Sequence, residues 1–66
     1  MDIGARIKEL RLEKKLSQAS LAKIINVSQK AVDYWERGVN EPKASYIVLL
    51  STFFDVSTDY LLKGEM

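Results

Sequence analysis

The chain has no cysteine and no histidine among its 66 residues. That excludes a disulfide framework, the usual zinc-ligand sets and the side chain most often used as a general base near neutral pH. Proline occurs once and glycine three times, so no Pro/Gly-rich linker divides the sequence. No apolar run approaches the ~18 residues of a membrane span, and no basic-then-apolar signal segment opens the chain. No nucleophile–base pair, metal cluster or Gly-rich phosphate loop is visible, and a chain of this size is too small for a deep pocket. Neither an enzyme nor a cofactor or metal site is therefore expected. These absences predict a cytoplasmic protein held by packing alone, as one domain over residues 1–66. Such a domain buries only about 60% of the surface its unfolded chain exposes, so its stability is expected to be marginal.

Net charge is also small, at +1 with a pI near 8.0. Its distribution says more. Residues 1–43 hold nine Lys/Arg against six Asp/Glu, and residues 44–66 hold one against three. A protein that presents one end to phosphate would place charge in this way, although solvated helix surface is the plain alternative.

What is present is helical. Ile3, Ile7 and Leu10 recur at helical spacing over roughly residues 2–14, with Lys14 and Lys15 where cations suit the helix dipole. Leu16 follows in the connection and is expected to point into the core. Ser17 is a good N-cap for a second helix with Leu21, Ala22 and Ile25 inward, and Asn26 falls where the chain must turn sharply. Val27 then plugs the turn, Ser28 caps a third helix, and Gly38 ends it. After a loop containing Pro42, a fourth helix over about 44–54 carries Ile47, Leu50 and Phe54 on one face, and a short fifth runs from the Ser57 cap to Gly64. The reading is all-α: a compact five-helix domain.

The most informative stretch is residues 18–37. Two short helices, each opened by Ser-Gln, are joined by a turn at Asn26. The second has an inward stripe at Val32 and Trp35 and a polar face at Gln29, Lys30, Asp33, Tyr34 and Arg37. A helix-turn-helix reads like this: one helix braces another whose exposed face is free to enter a DNA major groove. Asp33 is repelled by phosphate, so it either accepts from a cytosine amine or pairs with Arg37 one turn later. Phe53 and Phe54 read as packing residues.

Arg6-Ile7-Lys8-Glu9-Leu10-Arg11, Leu16-Ser17-Gln18, Leu21-Ala22, Val27-Ser28-Gln29, Val32, Trp35-Glu36-Arg37-Gly38, Pro42 and Phe54 to Leu62 together resemble the lambda-repressor/Cro-like (XRE-type) helix-turn-helix family. The resemblance covers almost the whole chain. It implies sequence-specific binding of double-stranded DNA by a transcriptional regulator, a repressor of prophage or related bacterial type. Such proteins usually act as a homodimer on a near-palindromic operator. It places Gln29, Lys30 and Tyr34, with Asp33 beside them, at base edges. Glutamine can bond adenine N6/N7, and lysine can donate to guanine O6/N7. It places Gln18, Ser28, Arg37, Asn40 and Lys43 at the DNA backbone, Arg11 and Glu36 in a structural ion pair, and Thr58, Leu61 and Leu49 at a dimer surface. The chain departs from the family pattern with Asn26 at the turn, Lys43 in place of a capping Ser or Asp, and apolar Leu12, Ile24 and Leu49 at commonly polar positions. The competing reading is an antitoxin-like or other protein-interaction module built on the same fold.

Overall fold

The computed structural model describes residues 2–65, so the two ends of the expected 1–66 unit lie outside the described residues. Five helices follow one another: α1 (Ile3–Glu13), α2 (Gln18–Ile25), α3 (Gln29–Arg37), α4 (Ala44–Phe54) and α5 (Thr58–Lys63). They enclose one core of Ile3, Ile7, Leu10, Leu21, Ala22, Ile25, Val32, Trp35, Leu50, Phe54 and Leu61. The helices α1 to α4 contribute stripes at the spacing their periodicity predicts, and α5 contributes Leu61. Among the described residues no helix is long and apolar enough to cross a membrane.

The connections are built on a shared plan. Lys15, Asn26 and Asp55 adopt the left-handed conformation after α1, α2 and α4, with φ of 58°, 61° and 57°. The next residue in each case is aliphatic and donates its N–H back over the helix end. Leu16 reaches the Arg11 carbonyl at 3.1 Å, Val27 that of Ala22 at 2.9 Å, and Val56 that of Ser51 at 3.0 Å. These bonds satisfy carbonyls that a helix end leaves open. A serine then caps the next helix: the Ser17, Ser28 and Ser57 hydroxyls accept from the N–H groups of Ser20, Ala31 and Tyr60. The unit of left-handed residue, aliphatic residue and serine thus turns the chain three times. Asn adopts this backbone more readily than most residues, and Lys has no such preference.

The start of α4 lacks this capping device, since Lys43 makes no side-chain cap bond there. Leu16 is only half-buried. The back-bond that closes α1 fixes it beside the surface, where its carbonyl also accepts from the Arg11 guanidinium at 2.7 Å. Leu61 departs from expectation more sharply. It is 0% exposed and belongs to the core, so its side chain is unavailable to a second copy, while Leu62 beside it is exposed.

Two further residues fix how α1 packs on the rest of the molecule. Gly4 is buried where α1 crosses α3, and a Cβ there would overlap the Trp35 carbonyl oxygen. The obstacle is helix backbone, which cannot swing aside. Arg6 is buried on the α1 face that carries Ile3 and Ile7, and its Nε donates to the Leu61 carbonyl at 2.8 Å.

Candidate nucleic-acid interface

The amphipathic character of α3 decides how it sits. Val32 and Trp35 are buried, and the Trp35 ring meets Tyr46 at 5.6 Å between centroids. With that stripe fixed, Gln29, Lys30 and Arg37 are exposed, and Asp33 and Tyr34 half-buried. Gln29 makes no side-chain hydrogen bond among the described residues, which leaves its amide open to a partner. The Lys30 ammonium and the Arg37 guanidinium both lie 5.5 Å from the centre of the Tyr34 ring. Two cations flanking one aromatic ring restrict its motion and gather positive charge around it.

Beneath this face lies the ion pair expected from the family resemblance. Arg11 donates twice to Glu36, from Nε at 2.7 Å and from Nη2 at 2.9 Å, with side-chain exposures of 9% and 2%. The hydrogen bond to Glu36 raises the Arg11 pKa above its ordinary value; burial opposes this and the Glu36 charge adds to it. Two parallel bonds between planar groups fix direction as well as distance. The pair therefore sets how the C-terminal end of α3 rests on α1.

Gln18 is drawn into the same network. Its Nε2 donates to Glu36 Oε1 at 3.1 Å and to Asp33 Oδ1 at 3.3 Å. The amide thus faces α3 rather than solvent. Asp33 in turn accepts from Arg37 Nε at 3.0 Å through its other oxygen. The pairing of Asp33 with Arg37 is present, and Gln18 is a second partner that the sequence does not announce. The Ser28 hydroxyl oxygen accepts from the Ala31 N–H at 3.1 Å, and its own O–H remains a donor.

Asn40 and Lys43 are exposed in the loop between α3 and α4. An open groove of about 630 Å³ brings them together with Ser28, Lys30, Tyr34 and Tyr46. Glu41 lines the groove as well and sets a negative charge among the candidate phosphate contacts. Thr58 and Leu49 lie away from this groove; Thr58 is half-buried at the start of α5, and Leu49 is exposed on α4. Gly4 and Arg6 are structural residues that support α3 and α5 and were given no role from sequence. Their signals are a glycine inside an otherwise regular helix and an arginine on the apolar side of α1.

Comparison with known proteins places this geometry. The family profile described as helix-turn-helix matches residues 7–61. The chain is 41% identical over 64 residues to the repressor protein C2 of Salmonella phage P22, covering 97% of this chain and 30% of that protein. It is 37% identical over 65 residues to the transcriptional activator BcrR of Enterococcus faecalis, covering 98% of this chain and 32% of that one. The chain therefore spans about a third of the length of these curated relatives. The crystal structure of the P22 c2 repressor in complex with a synthetic operator superimposes with a TM-score of 0.92 at 40% identity, covering 98% of both chains. The chain belongs to the lambda-repressor/Cro-like (XRE-type) helix-turn-helix family.

Proposed function

We propose that residues 2–65 form a sequence-specific double-stranded DNA-binding unit of a transcriptional regulator, with α3 as the reading helix. The observation that carries this is the division of labour on α3. Val32, Trp35 and Glu36 anchor it to the core and to Arg11, while Gln29 and Lys30 are exposed and Tyr34 half-buried on the other side. Gln29 and Lys30 would read base edges from the first turn, and Tyr34 would offer its hydroxyl or meet a thymine methyl. Asn40 and Lys43 would hold phosphates, fixing register without reading sequence. The Ser28 oxygen accepts at its cap, and its O–H would still be able to donate to a phosphate. Repression would follow from occupancy of a site overlapping a promoter, in the cytoplasm.

One nine-residue helix reaches only a few base pairs, so a two-fold pair of copies is the arrangement that would give selectivity. Their reading helices would enter successive major grooves about 34 to 36 Å apart, which calls for a near-palindromic operator. Leu49 and Leu62, which are exposed, and the half-buried Thr58 would contribute to that pairing. Selection of bound duplexes from a random pool, followed by sedimentation on duplexes carrying one or two selected half-sites, tests the reading. Enrichment of a symmetric site that binds two copies cooperatively is the expected result. Failure to enrich any sequence removes the proposal, and equal affinity per copy on one and two half-sites removes the dimer.

A further inference from the structure

Asp33 occupies an unusual place for an acid, on the face proposed to meet a polyanion. Its two oxygens are both in use, one by the Gln18 amide and the other by the Arg37 guanidinium. Gln18 and Arg37 come from different helices, and each is a natural phosphate donor. An ionised carboxylate only accepts hydrogen bonds, and so does a phosphate oxygen. Asp33 and a DNA phosphate therefore compete for the Arg37 Nε–H and for one N–H of Gln18, while the Nη groups of Arg37 stay open and Glu36 is the second acceptor for Gln18.

The orientation of Gln18 follows from its neighbours. Both atoms facing its amide end are carboxylate oxygens, of Asp33 and Glu36, so the NH2 group must point at them. Its carbonyl oxygen is left on the other side, where it would repel a phosphate. Glu36 is itself held twice by Arg11 and is nearly buried, so it is a fixed part of the scaffold. Asp33 has no such support: its side chain is 34% exposed and its only cationic partner, Arg37, is 59% exposed. Of the two acceptors, Asp33 is the one that can yield.

We propose that Asp33 restrains Gln18 and Arg37, holding two phosphate donors against the protein and thereby setting the strength of DNA-backbone contact instead of reading a base. The inference rests on the DNA-binding reading above. A restrained backbone term lowers affinity for all sequences alike. Discrimination is then left to Gln29, Lys30 and Tyr34, none of which is bonded to Asp33.

The test compares Asp33→Ala with the unsubstituted protein on two duplexes of equal length, one selected from a random pool and one of scrambled sequence. Glu41→Gln supplies the charge control, because it removes one negative charge from the same side without touching Gln18 or Arg37. Asp33→Ala is expected to tighten binding to both duplexes by a similar factor, about three- to tenfold. It should also steepen the dependence of log affinity on log salt by about 1, the signature of one added phosphate contact. Placed in a Gln18→Ala/Arg37→Ala background, the same substitution should gain no more than Glu41→Gln does. A gain that persists undiminished in that background overturns the restraint, since it would then be net charge alone. Selective loss on the selected duplex also overturns it, because Asp33 would then be accepting from a base. If the unsubstituted protein binds neither duplex above background, the DNA-binding reading fails, a result distinct from either of these.

Discussion

The dipeptides Ser17-Gln18 and Ser28-Gln29 open consecutive helices in the same way and end in opposite roles. Both serines are extended, with φ/ψ of −79°/165° and −74°/153°, and both accept the N–H three residues on. Both glutamines occupy the first helical position. Gln18 is half-buried with its amide on two carboxylates, whereas Gln29 is exposed with its amide unspent. Local sequence sets the cap and the start of each helix. What lies across the interface decides whether a side chain becomes scaffold or is left for a partner. The α2 glutamine meets Asp33 and Glu36 of α3, but the α3 glutamine is exposed and makes no side-chain bond to α2.

The sharpest way to break this asymmetry is to remove the scaffold acceptor. Glu36→Ala leaves the Arg11 guanidinium buried without its carboxylate and takes the nearer partner from Gln18. Breaking a buried pair costs roughly 3 to 5 kcal/mol, a large share of the stability of a small protein. Urea melts should show a large fall in midpoint, and an unchanged midpoint would mean that the pair does not hold α3 in place.

Gln29→Ala probes the other glutamine and should leave the urea midpoint essentially where it was. On the preferred duplex it should cost about 1 to 3 kcal/mol of binding and relax selectivity at one base position. Isotherms on single-base variants check this. A uniform loss across all of them would make Gln29 a backbone contact, the role proposed for Asn40 and Lys43.

The smallest expected effect concerns the connectors that precede the two helices. Lys15 and Asn26 share the left-handed backbone, but only Asn adopts it readily. Lys15→Gly should therefore raise stability by about 0.5 to 1 kcal/mol, with Asn26→Gly gaining less. Thermal melts of the two variants, run side by side, give the ordering. A larger gain at Asn26 would show that backbone strain is not what separates them.

These residues also mark how far the sequence could be read. Helix bounds were legible because serine caps, the Asn26 turn and the Gly38 terminator each have a local cause. The left-handed Lys15 was not, since nothing in a lysine announces that conformation; the helix end imposes it. Leu61 and Leu62 could not be told apart because α5 has six residues, too few for periodicity to fix which of two adjacent leucines points inward. The ion pair of Arg11 and Glu36 came from family resemblance, because no local pattern joins residues 25 apart. Gln18 was correctly placed at its helix start, but its acceptors lie on another helix, and spacing along the chain carries no information about them. The whole polar face of α3 was visible, as periodicity alone separates it from Val32 and Trp35.

The repeated connectors also bear on how the chain assembles. Each turn after α1, α2 and α4 closes on residues within a few positions of itself, so it requires no distant part of the molecule to be in place. Helices punctuated in this way can form and turn early, and helical proteins dominated by local contacts fold in microseconds to milliseconds. The bond from Arg6 to the Leu61 carbonyl is of another kind, joining positions 55 residues apart. Loop-closure entropy must be met before such a contact is rewarded. Docking of the last helix onto the first joins the two ends of the described chain, and the Arg6 bond latches that contact.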